Sequence, residues 1–160
     1  MNPLAQEIAA AEVPEASVRL WWLGQAGFAF KTPSGRIVFA DPYLSDAVER
    51  LHGFKRLSLA PLAAGHVRAD IVVLTHEHTD HLDPDALPVI TRNNPQCRFA
   101  GPDGCREGLR QAGVAPIILC SWSRMRRATW AGWRFIPRRP TMAIIRLRRW
   151  RWYWTSGAFG

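Results

Sequence analysis

Four aliphatic residues, Ile71-Val72-Val73-Leu74, run straight into Thr75-His76-Glu77-His78-Thr79-Asp80-His81, so three histidines and an aspartate crowd six consecutive positions. A short apolar run bounded by polar residues reads as a buried strand, because a buried helix would need a longer one. The histidine-rich stretch then lies on the loop at the C-terminal end of that strand. Layered α/β proteins place their chemistry on such loops.

The spacing carries chemical meaning. In extended backbone, side chains two apart point the same way, so His76 and His78 can present imidazole nitrogens to one cation. Asp80 and His81 are neighbours and would diverge if the strand continued. They can meet a second cation if the chain turns there and starts a helix. Leu82-Asp83-Pro84-Asp85-Ala86-Leu87 supports that turn, with Asp83 as N-cap and Pro84 at the first helical position. Nitrogen donors mixed with a carboxylate suit zinc first, with manganese or iron as alternatives, whereas calcium and magnesium prefer oxygen alone. Glu77 and Thr79 read as spacers between the donors.

The His-x-His-x-Asp-His element resembles the signature of the metallo-β-lactamase superfamily. Trp21-Trp22-Leu23-Gly24-Gln25-Ala26-Gly27-Phe28 and Ile37-Val38-Phe39-Ala40-Asp41-Pro42 are similar to the opening strands of its L-ascorbate-6-phosphate lactonase-like branch. Arg56, Pro61, Ala69-Asp70 and Phe99-Ala100-Gly101-Pro102 also fit that branch, and the resemblance covers roughly residues 17 to 120. It implies an α/β fold, the N-terminal half of a metallo-β-lactamase αββα sandwich. It also implies a metal-dependent hydrolase of a small-molecule lactone, ester or phosphate ester, working with two divalent metal ions. Carried over residue by residue, it makes His76 and His78 ligands of one ion and Asp80 and His81 ligands of the other. Asp80 is in addition the candidate catalytic proton acceptor. Asp41 would orient a ligand histidine from behind. From the residues alone, Asp41 reads equally as a turn former before Pro42.

The character of the chain changes near Cys120. Residues 1–120 hold 11 Lys plus Arg and all 13 Asp plus Glu, whereas residues 121–160 hold ten arginines with no lysine, acid or histidine. The net charge of +8 therefore belongs to the tail, which also carries six of the eight tryptophans. One reading is a nucleic-acid-binding segment on a vestigial metal-binding fold, with guanidinium groups on phosphates and indoles on bases. A second is a membrane-surface segment. The third is translation of a shifted reading frame. Reverse translation across Arg139 to Arg146, with CGN arginine codons, permits a shifted string such as Ala-His-Asp-Gly-Tyr-His-Pro. The stretch Arg149 to Phe159 becomes an apolar strand, an Asp/Gly turn and the start of a return strand. A frameshift close to Cys120 is the preferred expectation. No histidine follows His81, so later ligands from the second half of the fold are not assignable, and the chain as written is expected to be truncated and inactive.

The expected organisation is a lead segment over 1–16, a metallo-β-lactamase-like half-domain over 17–120 and the Arg/Trp-rich tail over 121–160. Met1 to Ala16 has neither the basic n-region nor the long apolar h-region of a signal peptide. No apolar stretch approaches the ~20 residues of a membrane span, and a cytoplasmic location follows as the expectation. Nucleic acid enters only through the 121–160 tail, and the oligomeric state stays open. Strands are expected at Val18 to Leu23, Gly27 to Lys31, Arg36 to Ala40, Arg98 to Gly101 and Ala115 to Leu119. Helices are expected from Pro84 to Thr91 and from Asp103 to Gly113. His52 and His66 lack ligand spacing and read as surface residues, with substrate contact left open. Cys97, Cys105 and Cys120 are odd in number without Cys-x-x-Cys spacing, so neither a disulfide framework nor a zinc knuckle follows.

Overall fold

The first strands turn a row of apolar side chains to one face of a sheet, and the helices gather there. The computed structural model describes residues 2–115 and the backbone of 117–119, 129–130 and 133–134. Six strands form one sheet in sequence order: β1 (Arg19–Trp22), β2 (Phe28–Lys31), β3 (Ile37–Ala40), β4 (Ile71–Val73), β5 (Arg98–Gly101) and β6 (Ile117–Leu119). The first three are antiparallel neighbours, and β3 to β6 run parallel. Among the described residues, α1 (Pro3–Ala10) precedes the sheet, and α2 (Ala47–His52), α3 (Ala86–Asn93) and α4 (Arg106–Gln111) lie in the connections from β3 to β6. A further two-stranded ladder pairs Thr129–Trp130 with Trp133–Arg134. The other expectations about residues 121–160 lie outside the described residues.

The register aligns Trp21, Ala29, Phe39, Val72 and Phe99 on one face. All five are buried, and they join Ile8 of α1, Leu87 and Ile90 of α3 and Leu109 of α4 in one core. The opposite face carries Trp22, Phe28, Ala40 and Val73 in one row, half-buried or, for Trp22, 63 % exposed. A parallel sheet is stable when both faces are covered. Among the described residues, helices supply one of those covers.

The lead segment is helical and anchored. Asn2 caps α1 by accepting from the Ala5 N–H, with Pro3 at the first position. Glu7 accepts from the Trp21 indole N–H (3.0 Å) and pairs with Arg19. At the other end Lys31, only 8 % exposed, donates from Nζ to the Ile8 carbonyl (3.0 Å) and to that of Ala9. A cation on the last carbonyls of a helix meets the negative end of its dipole. Lys31→Met keeps the stem but deletes these bonds. It is expected to destabilise the fold by about 1–2 kcal/mol and to raise hydrogen exchange in residues 3–10 above that of β3. Equal exchange in both elements would contradict this.

Strand positions follow the sequence expectation closely. Two helix starts shift: α3 begins at Ala86, two residues after Pro84, and a 3-10 turn at Asp103–Cys105 precedes α4, which ends at Gln111 before Gly113. Over Leu44 to Pro61, which reads from sequence as mixed helix and loop, the chain forms only the short α2. It ends at Gly53, whose φ of 75° places it in the left-handed region that glycine adopts without strain.

Candidate metal centre

Two of the candidate donors, His76 and His81, are aimed by neighbours, and the chain of hydrogen bonds begins at Asp41. Its carboxylate is buried at the end of β3, and its φ of 43° is a strained value for a residue other than glycine. Oδ1 accepts from the Thr75 N–H (2.8 Å) and Oδ2 from the Thr75 hydroxyl (2.7 Å). Oδ2 also lies 3.0 Å from His81 Nδ1. An ionised carboxylate only accepts, so His81 carries its proton on Nδ1 and turns the Nε2 lone pair outward. His81 Nε2 stands 3.5 Å from Asp80 Oδ2.

The same reasoning fixes His76. The Thr75 hydroxyl gives its proton to Asp41, so at 2.9 Å from His76 Nδ1 it accepts, and the free lone pair of His76 is on Nε2. That nitrogen lies 3.1 Å from His78 Nδ1, with the two rings edge to face at 77°. The His76 ring also lies against that of His81, centroids 3.9 Å apart. Between the pairs the chain turns: the His81 and Leu82 N–H groups both donate to the His78 carbonyl. This turn brings the sequence neighbours Asp80 and His81 to one side.

Two donors at 2.0–2.2 Å from a cation, with an angle of roughly 100–110° between them, stand about 3.1–3.6 Å apart. The 3.1 Å of His76/His78 and the 3.5 Å of His81/Asp80 both suit two donors that share an ion. Among the described residues, no group of three or more His, Cys, Asp or Glu side chains is placed to hold one ion. The residues thus form two pairs, each compatible with a divalent metal and each short of the three protein ligands of a catalytic site.

A second buried carboxylate, Asp83, closes the loop. Its Oδ2 accepts from the Leu44 and Ser45 N–H groups (2.9 Å each), and its Oδ1 accepts from the Ser45 hydroxyl (2.7 Å). Oδ1 also accepts from the Asp85 and Ala86 N–H groups, which makes Asp83 a capping side chain for α3. Capping was legible in the sequence, whereas the tie to residues 44–45 was not. Arg56, also buried, reinforces that segment. It donates to the carbonyls of Ser58 (2.8 Å) and Ser45 (3.1 Å), and its guanidinium lies 4.8 Å from the centroid of the Tyr43 ring.

His52 and His66 are exposed, as expected. His52, however, reaches the loop, its Nε2 3.1 Å from Thr79 Oγ1. Burial pushes the Cys97 thiol up to about 12 and the Cys105 thiol up to about 11, the latter helped by the charges of Glu77 and Asp41. Both thiols are protonated at neutral pH and neither is an activated nucleophile. Iodoacetamide at pH 8 is expected to label them far more slowly in the folded chain than in urea. Equal rates would contradict this.

A mixed sheet with flanking helices and a donor-rich loop at the end of its fourth strand fits a metallohydrolase-type α/β fold. Residues 19–126 match the family described as the Beta-lactamase superfamily domain, and the chain belongs to that family. Similar proteins include a metal-dependent hydrolase of Polynucleobacter asymbioticus, 34 % identical over 105 residues, an alignment covering 66 % of this chain and 34 % of that one. A probable L-ascorbate-6-phosphate lactonase of Escherichia coli is 27 % identical, with 64 % and 35 % of the two chains covered. An N-acyl-phosphatidylethanolamine-hydrolyzing phospholipase D of Caenorhabditis elegans is 30 % identical, with 62 % and 29 % covered. The chain thus spans about a third of the length of these relatives.

Proposed function

We propose that this chain carries the N-terminal part of the metal centre of a hydrolase acting on a lactone, ester or phosphate ester. The observation that carries the reading is the pairing of donors, His76 with His78 and His81 with Asp80, at separations that suit one shared ion each. The relatives support the substrate class, because a lactonase and a phospholipase D both cleave ester-type bonds. Two divalent ions, zinc first with manganese or iron as alternatives, would be held by these pairs. Such ions supply Lewis acidity and make water a nucleophile at neutral pH. Asp80 is 46 % exposed and lies 3.5 Å from His81 Nε2, which supports reading it as the proton acceptor at the site. Asp41 and Thr75 hold the imidazoles in the tautomers that ligation needs.

With two donors per ion among the described residues and no histidine after His81, we read the chain as written as inactive. We attribute residues 121–160 to a shifted frame, on the strength of their all-arginine charge. Sequencing the gene from the codon for Gly113 past that for Gly160 tests this. A one-base correction that opens a frame with further His and Asp residues supports it. A confirmed frame makes the basic tail native and turns attention to nucleic-acid binding. The metal reading is tested by equilibrium dialysis against zinc. The unmodified chain is expected to retain zinc, and H76A/H78A is expected to lose at least one bound equivalent. Equal uptake by both would overturn the assignment.

A further inference from the structure

The residues between the donors hold three different parts of the fold. Thr75 is fastened to Asp41 at the end of β3. Thr79 Oγ1 lies 3.1 Å from Nε2 of His52, the last residue of α2. Glu77 rests its carboxylate on Gly104, in the 3-10 turn that leads into α4. A Cβ at position 104 would stand 2.5 Å from Glu77 Oε2 and 2.8 Å from its Cδ. Packed atoms do not approach so closely, so the glycine is a condition for this placement. The carboxylate's position has a second trace, since its charge helps to raise the Cys105 thiol next along the chain.

Through these bends and turns, His76, His78 and Asp80 carry donors, while Thr75, Glu77 and Thr79 between them carry tethers. We infer that Glu77, seated on Gly104, and Thr79, held by His52, are positioning residues that set the separation and aim of the metal donors. The inference rests on reading His76, His78, Asp80 and His81 as ligands. Glu77 and His52 are exposed and Thr79 is half-exposed. Exposed side chains contribute little to global stability. Their loss should therefore register at the metal and leave the fold intact.

The test is titration of the full chain with Co2+, followed by its visible absorption, beside the thermal midpoint of the metal-free protein. Glu77→Ala and Gly104→Ala are each expected to weaken Co2+ binding about 10-fold, to alter the absorption band and to leave the midpoint near that of the parent. The double variant is expected to be no weaker than either single one, because both remove the same contact. Thr79→Val should weaken binding similarly, and Thr79→Ser should restore it. Glu107→Ala, on the exposed side of α4, is the neutral control. Unchanged Co2+ affinity, additive effects of E77A and G104A, or a midpoint that falls in step with affinity would each overturn the inference. If the unmodified chain takes up no Co2+, the metal reading fails. The tethers are then judged on the metal-free chain by the ring 15N resonances of its histidines. Movement of the His76 and His78 signals in E77A and G104A, but not in E107A, upholds the tethers, and unmoved signals overturn them.

Discussion

Asp83→Ala is expected to destabilise the fold by roughly 3–5 kcal/mol, which in a marginally stable domain is enough to unfold much of it. The carboxylate is fully buried and receives five hydrogen bonds, from Leu44 N–H, Ser45 N–H, the Ser45 hydroxyl, Asp85 N–H and Ala86 N–H. Alanine leaves those donors without their acceptor in a place water reaches poorly, and an unsatisfied buried donor costs about 1–3 kcal/mol. Asp83→Asn separates charge from shape. It preserves acceptance at Oδ1 but turns an amide N–H toward the two N–H groups that now meet Oδ2. Asn should therefore be intermediate. Urea denaturation of the three proteins measures the effect. A loss below about 1 kcal/mol for alanine would mean that the 44–45 segment finds other partners.

Asp41→Asn is expected to act on the metal more than on the fold. Asparagine tolerates the positive φ of this position and can still accept from the Thr75 N–H. What it removes is the acceptor that holds the His81 proton on Nδ1. An amide N–H facing Nδ1 favours the opposite tautomer, in which Nε2 is protonated and lost as a donor beside Asp80. Zinc affinity is therefore expected to drop about 10- to 100-fold with a circular dichroism spectrum like that of the parent. The histidine ring 15N spectrum should report the tautomer change directly. Retained affinity with an unchanged tautomer would show that Thr75 alone, 3.3 Å from His81 Nδ1, is enough to orient the ring.

Ile71-Val72-Val73 announced a buried strand, and β4 lies centrally in the sheet between β3 and β5. Strands over Phe28–Lys31 and Ile37–Ala40 were legible as well, although it is Ala29 and Lys31, rather than Phe28 and Phe30, that β2 buries. These signals are local, since they arise from side-chain period against backbone period within a few residues. Helix starts were less legible because Asp83 caps with its side chain while the regular hydrogen-bond pattern begins only at Ala86. Lys31 was invisible as a helix clamp, for nothing in Phe28-Ala29-Phe30-Lys31 signals that its ammonium reaches α1.

The sequence by itself offered the candidate donors and their pairing, because the spacing of His76, His78, Asp80 and His81 is a property of adjacent residues and of one turn. Only the tertiary structure decided their aim. Asp41 reaches Thr75 across 34 positions of sequence, Asp83 reaches Ser45 across 38, and His52 reaches Thr79 across 27. No local pattern encodes such contacts. They exist because parallel strands β3 and β4 end side by side, which brings residues 41–45 against 75–83 and fixes which nitrogen of His76 and of His81 is free.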